Sequence, residues 1–353
     1  MGLPDVPGQI VYDIFSRLPV KSLCRFKSVS KSWLALITAP EFIKSHLHHQ
    51  STNDNNINHK IIFCSGTSPS MYSVDYQAPD HTIIELKSPP CEYYVEIVGS
   101  FNGIVLLRMD GELCLWNPST KMYQKFSPPE GENRFVKYGL CHDSVSDDFK
   151  VVGVNSRLID GRSAVHMFTS KLSSWKRIGD FDFFLIKALP TAVLNGAPHW
   201  SAGDNSNFIK AIFCFDAVEE KFKEVPIPKN FEGGFLFFFE LGVLGGWLCG
   251  VNNSSWESHS DVWVMKEYGM KESWIKLFVV PNVPGEFCFR YIRVLGYRKD
   301  GEVVMVFNST DLVIYNPKQN RYKRIEIPPD CKWFDAAYSM ESLVSPRVCN
   351  GTS

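Results

Sequence analysis

Few residues in this chain have types and spacings that could do chemistry. His46, His48 and His49 crowd together and could ligate a metal, but no cysteine or carboxylate partner accompanies them at ligand spacing. A solvated helix end is the expectation for them. His142-Asp143 could be half of a catalytic pair, but the pair precedes Ser144 to Asp148, which reads as a hydrogen-bonded turn. His166 and His199 are too few for a copper centre in a β-rich hub. The ten cysteines lie no closer to one another than Cys331 and Cys349, which excludes a C-x-x-C zinc knuckle. No G-x-S-x-G, P-loop, dinucleotide fingerprint or H-E-x-x-H occurs. These residues therefore predict no catalytic site, no cofactor and no bound metal, and the chemistry to look for is recognition.

Recognition needs elements that hold side chains outward. The N-terminal 47 residues read as four short helices. Asp5 and Pro7 suit a first turn, and Ile10, Val11, Ile14, Phe15 and Leu18 follow at helical spacing until Pro19. Val20 to Lys27 forms a second helix, Ser30 caps a third with Trp33, Leu34, Leu36 and Ile37, and Pro40 opens a fourth with Phe42, Ile43 and Leu47. Their apolar residues exceed what a unit of ~45 residues can enclose, so they predict either a partner or the adjoining domain as cover. The head carries six Lys/Arg against three Asp/Glu, a net +3, whereas the rest of the chain holds −4. A mildly basic head suits an acidic protein partner, while nucleic acid would want a denser basic stripe.

Beyond a polar linker at 48–59, helical periods give way to short apolar runs separated by Asn, Gly, Asp and Pro. An internal repeat organises them. In Trp116-Asn117-Pro118 to Tyr123, and again in Tyr315-Asn316-Pro317 to Tyr322, a strand meets a polar turn and an aromatic opens the return strand six residues after the Asn. Trp175, Phe222 and Trp274 continue the series at intervals of 52, 47, 52 and 48 residues, and Ile83 with Leu86 is a degenerate copy. That period is one four-stranded propeller blade. Asn102-Gly103, Asn195-Gly196, Gly245-Gly246 and Asp300-Gly301 supply the positive φ that tight hairpins require. The most apolar run, Phe235 to Val251, is interrupted by Glu240 and four glycines, so it reads as two strands and not as a membrane span. Six blades are expected, the first lacking a strand that Ala336 to Val344 would supply.

The connections 127–134, 155–162, 202–207, 228–234, 252–260 and 282–287 are long and irregular, and in a propeller they share one face. Within them Arg134, Arg157, Arg162, Phe231, Trp256 and Phe287 are residue types that dominate interfaces, and they are the expected substrate contacts.

Leu3-Pro4, Leu18-Pro19-Val20-Lys21-Ser22-Leu23, Arg25-Phe26-Lys27-Ser28-Val29-Ser30-Lys31-Ser32-Trp33 and Pro40-Glu41-Phe42 resemble the F-box, in particular its plant version. The later segments Leu115 to Thr120, Tyr138 to Asp143, Leu194 to Trp200 and Tyr338 to Val344 resemble the plant F-box-associated domain, which is similar to kelch propellers. The resemblance implies an α+β multidomain chain: a small N-terminal helical F-box at 1–47, a linker at 48–59, an all-β propeller-like domain of six blades at 60–345 and a tail at 346–353.

It further implies a non-catalytic substrate-recognition subunit of an SCF-type ubiquitin ligase. Such a subunit binds a Skp-type adaptor, and through it a cullin scaffold and a RING subunit, and presents an unidentified target protein for degradation. The alternative is an F-box and propeller scaffold acting without ubiquitination. Pro4, Ile14, Leu18, Pro19, Leu23, Val29 and Trp33 would form or support the adaptor surface, with Arg25 and Lys31 as its charged rim. With no charged-then-apolar leader and no paired cysteine spacing, a cytoplasmic or nuclear location is the expectation.

Overall fold

The architecture follows from two periodicities, one near 3.6 in the head and one of about fifty residues in the rest of the chain. A computed structural model describes residues 8–52, 59–129, 136–156, 163–186, 190–203, 209–229, 239–253, 259–282, 289, 291–331 and 333–346.

Four helices make the head: α1 Gly8–Phe15, α2 Val20–Phe26, α3 Lys31–Thr38 and α4 Pro40–Thr52. Pro19 stands at the N-cap of α2, where its missing N–H costs nothing. The Ser30 hydroxyl caps α3 by accepting the Trp33 N–H at 3.1 Å. Phe15, Val20, Leu23, Ile37 and Phe42 are buried together, and Trp33 packs edge-on to Phe15. The fourth helix runs five residues into the segment expected to be linker, since His48 to Thr52 contains neither Pro nor Gly to stop it. His46 is not solvated either. It is buried, and its ring N–H donates to the Leu18 carbonyl at 2.9 Å, tying α4 to the end of α1. Burial holds its pKa below the ordinary value and keeps the ring neutral.

The remaining strands form six antiparallel sheets. Blade 2 shows the plan, with strands Val95–Phe101, Ile104–Met109, Glu112–Trp116 and Tyr123–Phe126 in order from hub to rim. The repeat aromatics Tyr123, Trp175, Phe222, Trp274 and Tyr322 all lie on outermost strands, where they begin the strand or follow its first residue. Blades 3, 5 and 6 repeat the plan on the inner strands Val136–Asp143, Phe239–Leu244 and Ile292–Tyr297. In blade 4 the inner position is shared by two short pieces, Phe184–Leu185 and Ala192–Leu194, paired to opposite ends of Ala197–Gly203. The run around Gly245-Gly246 is a hairpin of Phe239–Leu244 with Trp247–Asn252. Among the described residues no helix is long and apolar enough to cross a membrane.

Blade 1 is closed by the far end of the chain. Phe334–Met340 forms its innermost strand, antiparallel to His59–Ser65, and Met71–Val74 and Ile83–Glu85 complete the sheet. The closing strand thus starts two residues before the expected Ala336 and stops at Met340. Residues 341–346 leave the sheet and cross the ends of blades 2 and 3. There the Asn117 side-chain amide donates to the carbonyls of Ser342 and Val344 at 3.0 and 2.7 Å, and the Ser170 hydroxyl donates to the Pro346 carbonyl at 2.6 Å. Gly103, with φ of 79°, accommodates this crossing, because a Cβ there would meet the Ser342 hydroxyl at 2.2 Å. Leu343 then enters the head and is buried with Phe15, Leu23 and Phe42. The residues that follow the closing strand therefore belong as much to the head as to the propeller.

Candidate functional site

Antiparallel pairing fixes two faces. Every inner strand runs the same way, so the first and third turns of each blade share one face. The second turns and the blade-to-blade connections share the other. The head sits on the first face. Besides Leu343, Lys44 of α4 bridges to Asp147 in the first turn of blade 3 at 2.9 Å, and Glu341 of the tail pairs with Lys60 at 2.6 Å.

The adaptor residues expected from the sequence divide into two sets. Ile14 and Val29 are 51% and 60% exposed, and Pro19, Arg25 and Lys31 are exposed as well. Leu23 has no accessible surface and Trp33 is half-buried against Phe15 and Phe26, so these two, with the half-buried Leu18, support the surface from beneath. Pro4 lies outside the described residues. The structure adds two apolar residues that the pattern assigned to helix faces without singling them out: Ile10, one turn before Ile14, and Leu34 of α3. Both are more than 40% exposed. Among the described residues, neither the head's own core nor the propeller absorbs this set. An apolar group left in water with charged neighbours is what a docking surface looks like.

Arg134, Arg157, Arg162, Phe231, Trp256 and Phe287, expected on the opposite face, all lie outside the described residues. The described residues there show a feature the sequence also contains. Five of the six inner strands begin with one pattern, aromatic–apolar–charged: Tyr94-Val95-Glu96, Phe135-Val136-Lys137, Phe238-Phe239-Glu240, Tyr291-Ile292-Arg293 and Trp333-Phe334-Asp335. The middle residue starts the strand and is buried between blades in all five. Blade 4, whose inner strand is split, has Pro190-Thr191-Ala192 instead. Phe135 and Phe238 lie outside the described residues.

The charged members gather at the hub. Glu240 is buried, accepts the Tyr291 hydroxyl at 2.7 Å and lies near Arg293 and Asp335. Burial raises its carboxyl to about 7, with Arg293 opposing the rise. Glu96 pairs with Arg108 at 3.8 Å and has the Tyr94 hydroxyl beside it. A cavity of about 650 Å³ runs along the hub, lined by His59, Tyr76, Leu241, Arg293, Tyr297 and Tyr338 among others.

His142 and Asp143 do not form a catalytic pair. The His142 ring meets Asp147 at 3.2 Å, while Asp143 accepts the Val145 and Ser146 N–H groups and the Lys150 ammonium. Those donors hold its carboxyl below the usual range against the cost of burial. Both residues build the turn. Trp116 and Trp200 are fully buried in the core. His199 is buried and bonded to the Ala197 carbonyl and the Tyr268 hydroxyl. Among the described residues no three His, Cys, Asp or Glu stand close enough to hold a metal.

The class defined by this geometry is a two-part binding protein: a helical head with an uncovered apolar surface, fastened to the turn face of a six-bladed propeller. Comparison with known proteins gives the family. The F-box domain matches residues 2–45, and the F-box associated beta propeller domain matches residues 48–340. The chain belongs to the F-box proteins with an F-box-associated β-propeller. It is 34% identical to the F-box protein CPR1 of Arabidopsis thaliana over 99% of its own length and 90% of that protein. It is 28% identical to the F-box/kelch-repeat protein At3g23880 of Arabidopsis thaliana over 97% and 96% of the two chains. Among solved structures, a chain of a Nidogen/Laminin complex aligns with a TM-score of 0.49 at 8% identity, over 80% of this chain and 99% of that one.

Proposed function

We propose that this protein is the substrate-recognition subunit of an SCF-type ubiquitin ligase. The head engages a Skp-type adaptor, and through it a cullin scaffold and a RING subunit. The propeller holds a target protein for ubiquitination and proteasomal degradation. The observation that carries this reading is the uncovered apolar set on an F-box head: Ile10, Ile14, Pro19, Val29 and Leu34. The head occupies the turn face, so the other face stays open to a target while the adaptor is bound. The chain needs no catalytic residue for this role. Fixing a target lysine near a charged conjugating enzyme raises its effective concentration, which accelerates transfer by itself. The cysteine spacing supports a reducing compartment, the cytoplasm or nucleus.

The test is the Ile14→Asp, Val29→Asp double variant. Both side chains are exposed, so the melting temperature is expected to hold. Co-purification with the adaptor and cullin is expected to vanish, since each fully buried apolar side chain contributes about 1.5–3 kcal/mol. Adaptor recovery at the unaltered protein's level would refute the assignment. Adaptor without cullin from the unaltered protein would favour the scaffold reading instead.

A further inference from the structure

Among the described residues, the three most exposed aromatic side chains of the face opposite the head lie in one sector, with Phe183 between blades 3 and 4 less exposed. Tyr93 is 75% exposed, Trp333 60% and Tyr94 41%. Tyr94 immediately precedes the inner strand of blade 2 and Trp333 that of blade 1, and these two strands pack side by side. A single aromatic in water is ordinary. Three large ones in adjacent connections mark an interaction surface, and Trp and Tyr are the residues that dominate such surfaces.

The backbone beneath them is fixed. The Asp110 carboxylate accepts the N–H groups of Glu92, Tyr93 and Tyr94 at 2.7, 3.2 and 3.3 Å, and this bonding holds its pKa below the ordinary value. The Trp333 carbonyl accepts the Gly66 N–H, and a Cβ at Gly66 would stand 2.9 Å from that oxygen. Loops pinned in this way lose little entropy when a partner docks.

Charge selects the partner. The described residues of segments 85–96, 108–112 and 330–335, which bring the chain to this face on blades 1 and 2, hold seven Asp/Glu against two Lys/Arg, and Lys332 lies outside the described residues. Lys125, which lies 3.6 Å from Glu112, is the one further cation on the adjoining outer strand of blade 2. Two of the carboxylates, Glu96 and Asp335, lie at the hub under Tyr94.

We propose that this aromatic and acidic sector is where the target docks, and that it takes a segment carrying Lys or Arg beside an apolar or aromatic side chain. The cation lies over the exposed rings, with the carboxylates around it. The proposal rests on the receptor reading above and names the chemistry of its target.

The probe is a random-sequence peptide library displayed on phage, selected against the full chain both free and with adaptor bound. The expected peptides have a net positive charge, and added salt weakens their binding. Tyr93→Ala with Trp333→Ala is expected to weaken synthetic copies at least about tenfold, roughly 1.4 kcal/mol. Glu85→Gln with Glu92→Gln, at two exposed positions, is expected to weaken them less and to flatten the salt dependence. Melting temperature and adaptor binding should hold in both variants. The proposal is overturned by acidic or uncharged peptides, by no enrichment, or by binding that neither variant changes. Dimerisation of the free chain that these substitutions abolish would also overturn it, since a second copy would then cover the patch. Failure of the unaltered chain to bind any adaptor would instead remove the receptor reading, and the free-chain selection would still decide the surface.

Discussion

The two faces of the propeller are built from the same blades, but only one of them carries the head and the tail. On the turn face, Asn102-Gly103, Asn195-Gly196 and Gly245-Gly246 adopt positive φ and reverse the chain in the shortest space. Polar side chains there are turned to internal ends: the Ser342 hydroxyl donates to the Asn102 carbonyl at 2.8 Å, and Asn117 and Ser170 hold the tail. On the other face the chain leaves Tyr93, Tyr94 and Trp333 in water on pinned loops. The turn face carries the head and the tail, although Val145, Leu172 and Tyr268 also stand exposed on it, whereas the described residues of the other face carry neither. Loop length does not make the distinction, since Asp110-Gly111 on the second face is as tight a turn as any on the first.

The largest test of that contrast is removal of residues 334–353. Blade 1 would lose its inner strand and the ring its closure, so the cooperative thermal transition is expected to disappear. A truncated chain with an unchanged transition would show that the turn face is not what holds the ring. Leu343→Ala comes next. It removes a buried side chain from the head's core while leaving the closing strand in place, at about 2–5 kcal/mol. Hydrogen exchange is expected to quicken in α1 to α4 and to stay slow in the blades. Equal quickening in both would mean that head and propeller unfold as one.

The third test concerns the hub. The Glu240 carboxyl rises from an ordinary 4.5 to about 7 because it is buried, so the folded state binds its proton more tightly than the unfolded chain does. The stability it lends is complete below about pH 4.5 and is lost as the pH climbs through 7, by up to about 3 kcal/mol. Glu240→Gln is expected to flatten the melting temperature across that window, and an unchanged pH profile would show that other groups set it. The smallest effect belongs to Lys44→Ala. The Lys44–Asp147 pair is half in water, so its loss should cost under about 1 kcal/mol and shift the melting temperature barely at all. A larger loss would mean that the head leans on that contact more than on Leu343.

Much of this fold is legible in the residues because it is periodic. The aromatics of the outer strands recur at blade spacing, the Asn-Gly and Gly-Gly turns mark the hairpins, and Ser30 and Pro40 place two helix starts. Leu343 could not be found that way. It joins the head across some 300 residues of chain, and no local pattern distinguishes an apolar residue bound for a distant core. The burial of His46 is hidden from the sequence for the same reason, because its partner at Leu18 is set by helix packing. The aromatic–apolar–charged starts of the inner strands are present in the sequence and were obscured by the uneven connections before them. The outer-strand aromatics fix the blade number and carry no information about the hub. The split inner strand of blade 4 coincides with the one departure from that pattern, at Pro190, which lacks the N–H a continuous inner strand would offer.

The position of Leu343 also has a meaning in time. A chain emerging from the ribosome makes its head first and its last residues last. The head's core lacks one of its buried side chains until translation has passed residue 343, and blade 1 lacks its inner strand until it has passed residue 340. A nascent or prematurely terminated copy therefore carries an unfinished head on an open ring. Completion of the head and of the ring is gated by one short stretch, residues 334–343.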